Sequence, residues 1–221
     1  MAAILKGLLG AKGISWDVKL SRKIVPKITV SGKDKTIYVN ETINYTFEEV
    51  ERLKVHEIQV HVYRGANGEK QPLRIFSEGL ADYDETEEGL AIIAEEKSGC
   101  LDLDTRQMKL YAGRALATEV SLKNGFYYTF RALKEFFPDD IAYRLTESAK
   151  RGLENTAACG GFTKGHHYIA GLQKVRQFIE QDGDISILYT GKIGVDDVEI
   201  VKRLLEKKVL VRPEFLPEFL V

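Results

Sequence analysis

Two histidines set five residues apart, in His56-Glu57-Ile58-Gln59-Val60-His61, constrain this 221-residue chain more than any other feature of its sequence. In the commoner H-E-x-x-H arrangement the histidines are four apart, about 40° around a regular helix, and both reach one ion. At a spacing of five, a straight α-helix separates them by about 140°, too far for shared ligation. Joint ligation requires that one extra residue be absorbed. A single-turn π-bulge does this, and such bulges mark functional sites. The spacing thus predicts a local helix distortion together with a metal. Against this stands the plainer reading of two core or surface histidines on an amphipathic helix. That His56 and His61 are half of only four histidines in the chain weighs for the metal.

A second helix start, Thr86-Glu87-Glu88-Gly89-Leu90-Ala91, follows about thirty residues downstream. Catalytic zinc sites use three protein ligands and keep a position open for water, and His₂Glu is one of the known sets. Glu87 and Glu88 are both candidates for the third ligand. First-turn acids complement the helix dipole, which accounts for the two acids but not for Gly89, because glycine weakens a helix. A glycine beside a ligand lets another backbone approach closely. Glu57, next to a ligand, is the candidate catalytic base: zinc lowers the pKa of bound water to about 7, and a nearby carboxylate can move the proton. Glu95, seven residues past Glu88 and on the same helix face, is placed to orient a ligand histidine.

Around this constellation the chain reads as mainly helical. Residues 15–45 are strand-rich, with Trp16, Val18 and Leu20 alternating with polar residues and two further runs at 28–30 and 36–39. Residues 46–221 are helical in pattern, and 1–14 form an N-terminal extension. Thr46 and Glu49 make a capping box for a helix expected from Phe47 to about Arg64 and stopped at Gly65 and Gly68. Residues 67–85 read as a loop. Helices are expected at 86–99, 104–120, 126–137, 139–152, 165–181 and 195–208, with a flexible break at Gly160-Gly161. The aromatic stripe Phe126, Tyr127, Tyr128, Phe130, Phe136 and Phe137 has helical spacing and reads as core.

The formal charge of −1 gives no global basic field for nucleic acid, and no apolar run is long enough for a membrane span. Two cysteines, Cys100 and Cys159, lack C-x-x-C spacing and read as buried free thiols. The chain therefore reads as soluble and cytoplasmic.

An ordered set of motifs identifies a family. His56-Glu-Ile-Gln-Val-His-Val-Tyr-Arg-Gly65, Gln71-Pro-Leu73, Thr86-Glu-Glu-Gly-Leu-Ala91, Tyr111-Ala-Gly-Arg114, Gly160-Gly-Phe-Thr-Lys164 and Gly191-Lys-Ile193 occur in that order. Together they resemble the bacterial QEGLA-motif proteins, also labelled flavohaemoglobin expression-modulating. They also resemble the eukaryotic microtubule-associated tyrosine carboxypeptidases, which share the domain. The resemblance implies an α+β, mainly α-helical, zincin-like metallopeptidase domain over residues 1–221, with a small N-terminal β-sheet packed on the metal-binding helix. It implies a single zinc held by His56, His61 and Glu88, since the glutamate before Gly-Leu-Ala is the family's fixed element, with Glu87 as fallback. It further implies hydrolysis of a C-terminal, tyrosine-like residue from a peptide or protein tail. Two departures stand out. Gln59 replaces a usually small residue, and Lys164-Gly165-His166-His167 replaces the usual Lys-Asp.

A carboxypeptidase must recognise a free carboxylate, for which arginine is suited. Arg64, Arg114 and Lys164 could each serve, and Arg64, Lys164 and Tyr168 are the candidate substrate-binding residues. Arg114 reads more readily as a structural ion pair with Glu95 or Glu119. His166 and His167 read as a surface pair before they read as ligands of a second metal. A different class of function, a non-catalytic regulatory or binding protein that keeps the zinc-site fold, is the alternative to the peptidase.

Overall fold

The computed structural model describes residues 1–101 and 106–220, so the helix start expected at Asp104 lies outside the described residues. Helix α1 (Ala2–Ala11) buries Leu5 and Leu9, four residues apart and hence on one face. Strands β1 (Asp17–Ser21), β2 (Ile28–Ser31) and β3 (Thr36–Asn40) form a sheet in the order β1-β3-β2. β1 runs parallel to β3, with Val18 opposite Ile37, whereas β2 runs antiparallel, with Val30 opposite the same residue. Trp16 and Val18 point inward as the alternation requires, but Leu20 is exposed near the end of its edge strand. The other edge strand, β2, packs against the helix that carries the two histidines.

That helix begins at the expected capping box: Glu49 N–H donates to Thr46 Oγ1 and Thr46 N–H to Glu49 Oε2. α2 (Phe47–Leu53), a π-helical segment (Lys54–Val62) and α3 (Tyr63–Glu69) follow without a break, the junction residues keeping right-handed helical backbone. The distortion that the histidine spacing demands is present, but it spreads over nine residues rather than one turn. Gly65 and Gly68 do not stop the helix. They admit neighbours: a Cβ on Gly65 would lie 2.9 Å from the Trp16 ring, and one on Gly68 would lie 2.2 Å from the Phe76 carbonyl oxygen.

The segment expected as a loop contains α4 (Ile75–Glu78), and α5 (Tyr83–Lys97) starts three residues before Thr86. Next come α6 (Arg106–Lys123), α7 (Phe126–Leu133), α8 (Asp139–Lys150), α9 (Lys164–Glu180) and α10 (Val198–Glu206). α5 packs along α9 and the π segment, and α6 along α9 and α8. The main buried cluster spans the sheet, the histidine helix, α5 and α9. A smaller one, Ala117, Leu133, Ala142, Leu145 and Ala149, joins α6 to α7 and α8.

The aromatic stripe is largely outside this core. In α7 only Thr129 and Leu133 are buried; Phe130 and Phe137 pack against the smaller cluster, while Tyr127, Tyr128 and Phe136 are exposed. The thiols are free, but Cys159 is exposed and Cys100 is half-buried. The Gly160-Gly161 break is held rather than loose. The buried Lys150 ammonium donates to the carbonyls of Ser121, Asn124, Ala158 and Gly160 at 2.5–3.0 Å, tying the end of α6 to the loop before α9. A cation at a helix C-terminus satisfies carbonyls that the helix itself cannot. Among the described residues no helix is long and apolar enough to cross a membrane.

Candidate metal centre and its cleft

The widened π turns bring the two imidazoles together, with ring centroids 5.0 Å apart and planes at 61°. α5 crosses them and presents three buried carboxylates, Glu87, Glu88 and Glu95. Ligand atoms of His56, His61 and Glu88 all lie within 4.8 Å of one another. His56 Nε2 is 3.7 Å from Glu88 Oε2, and that oxygen is buried without a hydrogen-bond partner. A buried carboxylate oxygen left unpaired is costly. A cation held between it and the histidines would satisfy it, so the donor set fits a metal of the zinc type.

The remaining carboxylates fix the rings. His56 Nδ1 donates to Glu95 Oε1 at 2.8 Å, the contact expected from the spacing of Glu88 and Glu95. His61 Nδ1 lies 3.1 Å from Glu87 Oε2. With Nδ1 of each ring held by a carboxylate, Nε2 of each is left for a metal, and the acids raise ligand basicity. Glu87, the fallback third ligand, is thus engaged with a histidine and not grouped with the candidate ligands. Glu95 also accepts from Arg52 Nη1 at 2.8 Å and from the Tyr111 hydroxyl at 3.0 Å.

Arg64, a candidate substrate residue in the sequence, does not line the cleft. It is fully buried, and its guanidinium donates to the carbonyls of Leu188, Gly191 and Ile193 and to Glu87. It ties the histidine helix to the chain near Ile193 and holds the acid that orients His61. Lys164 lines the cleft, yet its ammonium is 3.0 Å from Glu88 Oε1. Tyr168, one turn further along α9, stacks on Tyr111 with centroids 5.0 Å apart. Arg114 makes neither expected ion pair. Among the described residues no carboxylate pairs with it, and its guanidinium lies over the Tyr168 ring at 4.8 Å. His166 is exposed, and neither it nor His167 lines the cleft.

The cleft itself is a cavity of about 520 Å³ lined by β2, the π segment, α5, α6 and α9. Glu57 is half-buried in its wall, and among the described residues no hydrogen bond or ion pair engages its carboxylate. Arg52, Tyr111 and Lys192 escaped the sequence reading. Tyr111 and Lys192 fall within motifs singled out above, but nothing local shows which neighbours they meet.

Burial lowers the pKa of His56, but the nearby Glu88 carboxylate and the hydrogen bond with Glu95 outweigh it and push the imidazole up to about 10. Burial raises Glu87, but His61, Arg64 and Lys192 beside it hold it down to about 2. His56 therefore contributes stability fully below its ordinary 6.5 and loses it as pH rises to about 10. Glu87 contributes fully above its ordinary 4.5 and loses it as pH falls to about 2. Chelator-treated protein is expected to be most stable between pH 4.5 and 6.5. The urea midpoint, measured against pH, checks this; a midpoint that climbs between about pH 7 and 9 would contradict the His56 assignment.

Two histidines on a π-helical segment, a convergent glutamate and an acid behind each ring define the class: a mainly helical α+β protein with a histidine–carboxylate centre in its cleft. A family model described as microtubule-associated tyrosine carboxypeptidase matches residues 2–221, and the chain belongs to that family. Microtubule-associated tyrosine carboxypeptidase 1 of Rattus norvegicus is 30% identical over 151 residues, covering 65% of this chain and 31% of the relative. The protein of the same name from Homo sapiens is 30% identical over 153 residues, covering 65% and 31%. The chain thus matches about a third of the length of these relatives.

Proposed function

We propose that this chain is a zincin-like zinc metallopeptidase, a single domain over residues 1–221, which acts as a carboxypeptidase on the C-terminal aromatic residue of a peptide or protein tail. The observation that carries the reading is the convergence of His56, His61 and the orphaned Glu88 Oε2 in one cleft with the unpaired carboxylate of Glu57. The names of the relatives support the C-terminal, tyrosine-like preference.

His56, His61 and Glu88 would hold the zinc, which when bound would supply a Lewis acid and a water with a pKa of about 7. Glu57, whose carboxylate is unpaired in the cleft wall, is the general base: it takes a proton from the attacking water and passes it to the leaving amine. Glu95 and Glu87 keep the imidazoles in the ligating tautomer. Lys164 holds Glu88 by Oε1 and leaves Oε2 unpaired beside the histidines. Burial and the Glu88 charge push the Tyr168 phenol up to about 12, so it stays a hydrogen-bond donor in the cleft wall.

Metal analysis of the purified protein is expected to find about one zinc per chain, and His61→Ala to abolish it. The loaded protein is expected to release aromatic C-terminal residues from a peptide library. A protein that binds zinc and cleaves no member of such a library overturns the peptidase reading in favour of a binding role.

A further inference from the structure

Four cationic side chains line the cleft, Arg114, Arg151, Lys164 and Lys192, and they are not equivalent. Lys164 is committed to Glu88. Arg151 is exposed at the rim and lies over the Phe162 ring at 3.9 Å. Lys192 lies over the Tyr83 ring, with its ammonium reaching the β2–β3 turn, 3.2 Å from where a Cβ on Gly32 would sit. Arg114 differs from all three. It is half-buried in the wall, unpaired with any carboxylate among the described residues, and lies over the rings of Tyr168 at 4.8 Å and Tyr111 at 5.5 Å.

The platform beneath Arg114 is continuous with the candidate metal centre. Tyr168 stacks on the buried Tyr111, whose hydroxyl donates to Glu95, and Glu95 accepts from His56 Nδ1. α6 and α9 meet closely at this point: a Cβ on Gly165 would lie 2.7 Å from the Arg114 carbonyl oxygen. The aromatic pair that supports Glu95 therefore also fixes the guanidinium relative to His56. A planar cation stacked on an aromatic ring keeps its donor edge free. An unneutralised guanidinium in a cleft wall is a fork shaped for a carboxylate.

We propose that Arg114 is the anchor for the free terminal carboxylate of the substrate, a reading that rests on the carboxypeptidase assignment above. The guanidinium takes the carboxylate by paired N–H donors, and its fixed distance from the centre selects the last peptide bond for hydrolysis. A terminal amide, which carries no negative charge, loses that anchor.

The test compares zinc-loaded wild type, Arg114→Gln and Arg114→Lys on benzoyl-glycyl-tyrosine and its C-terminal amide, with zinc content and melting temperature measured for each. Wild type is expected to prefer the acid over the amide by about 100-fold in kcat/KM, the size of a charge-assisted hydrogen-bond pair. Arg114→Gln is expected to lose this preference through KM for the acid, leaving the amide rate and the zinc content unchanged. Arg114→Lys keeps the charge without the fork and is expected to fall about midway on a logarithmic scale. If either variant keeps the full acid preference, the anchor is elsewhere and the proposal falls alone. If wild type hydrolyses neither substrate nor any free-acid peptide, the carboxypeptidase reading itself falls and the anchor falls with it.

Discussion

Glu57→Gln is expected to keep the metal and lose the reaction. The substitution preserves the shape of a half-buried side chain whose carboxylate has no partner among the described residues, so nothing in the packing depends on its charge. The candidate ligands His56, His61 and Glu88 and the acids behind the rings are untouched, and zinc content should stay at about one per chain. An amide in place of the carboxylate cannot accept a proton, and general-base catalysis contributes about 10²–10⁴-fold, so kcat/KM is expected to drop by about that factor. A Glu57→Gln protein with more than about a tenth of wild-type activity would remove Glu57 from the mechanism. Loss of zinc in this variant would instead make it part of the metal's support.

How much of this arrangement the sequence carries depends on how local its cause is. The histidine spacing alone demands a distortion of the helix, because both rings must reach one ion. How far that distortion extends is set by the packing of β2 and α5 on the π segment, and a one-turn bulge was the shortest solution, not the observed one. Helix α9, expected at 165–181, spans Lys164–Glu180, since its apolar periodicity and the preceding glycines are both local signals. Gly65 and Gly68 gave the opposite result. Glycine reads as a stop when no neighbour is known, yet here Trp16 and the Phe76 carbonyl occupy the space a side chain would need.

The cationic residues illustrate the same limit. Arg64 sits where a helix-terminal or substrate-facing arginine would, and its actual acceptors, the carbonyls of Leu188, Gly191 and Ile193, lie more than a hundred residues away in sequence. Arg114 was expected to pair with Glu95, but Glu95 is already occupied by His56, Arg52 and Tyr111. Which acid meets which base is decided by helix crossings, and the α5–α9 crossing does most of the deciding at this site.

That crossing gives the second large expectation, one that runs against helix propensity. Alanine is favoured over glycine inside a helix by about 1 kcal/mol, so Gly89→Ala in α5 would stabilise an isolated helix. In the folded protein a Cβ at Gly89 would lie 2.1 Å from the carbonyl carbon and oxygen of Gly171 in α9. These are backbone atoms, and they yield only if the two helices separate. Gly89→Ala is therefore expected to destabilise the protein by about 3 kcal/mol, the upper end of ordinary overpacking. It should also weaken zinc binding by about 10–100-fold, the range for disturbed support around a metal, because Glu88 on α5 and Lys164 on α9 meet across the same crossing. Gly7→Ala in α1 supplies the contrast: apart from the local backbone of its own helix, no atom lies within 4 Å of its added Cβ. There the propensity term acts alone, and a gain of about 0.5–1 kcal/mol is expected. Urea unfolding of the chelated proteins and competitive zinc titration of the loaded ones measure both effects. If Gly89→Ala unfolds at or above the wild-type midpoint, as Gly7→Ala should, then the close approach of α5 and α9 is not what holds Glu88 in position.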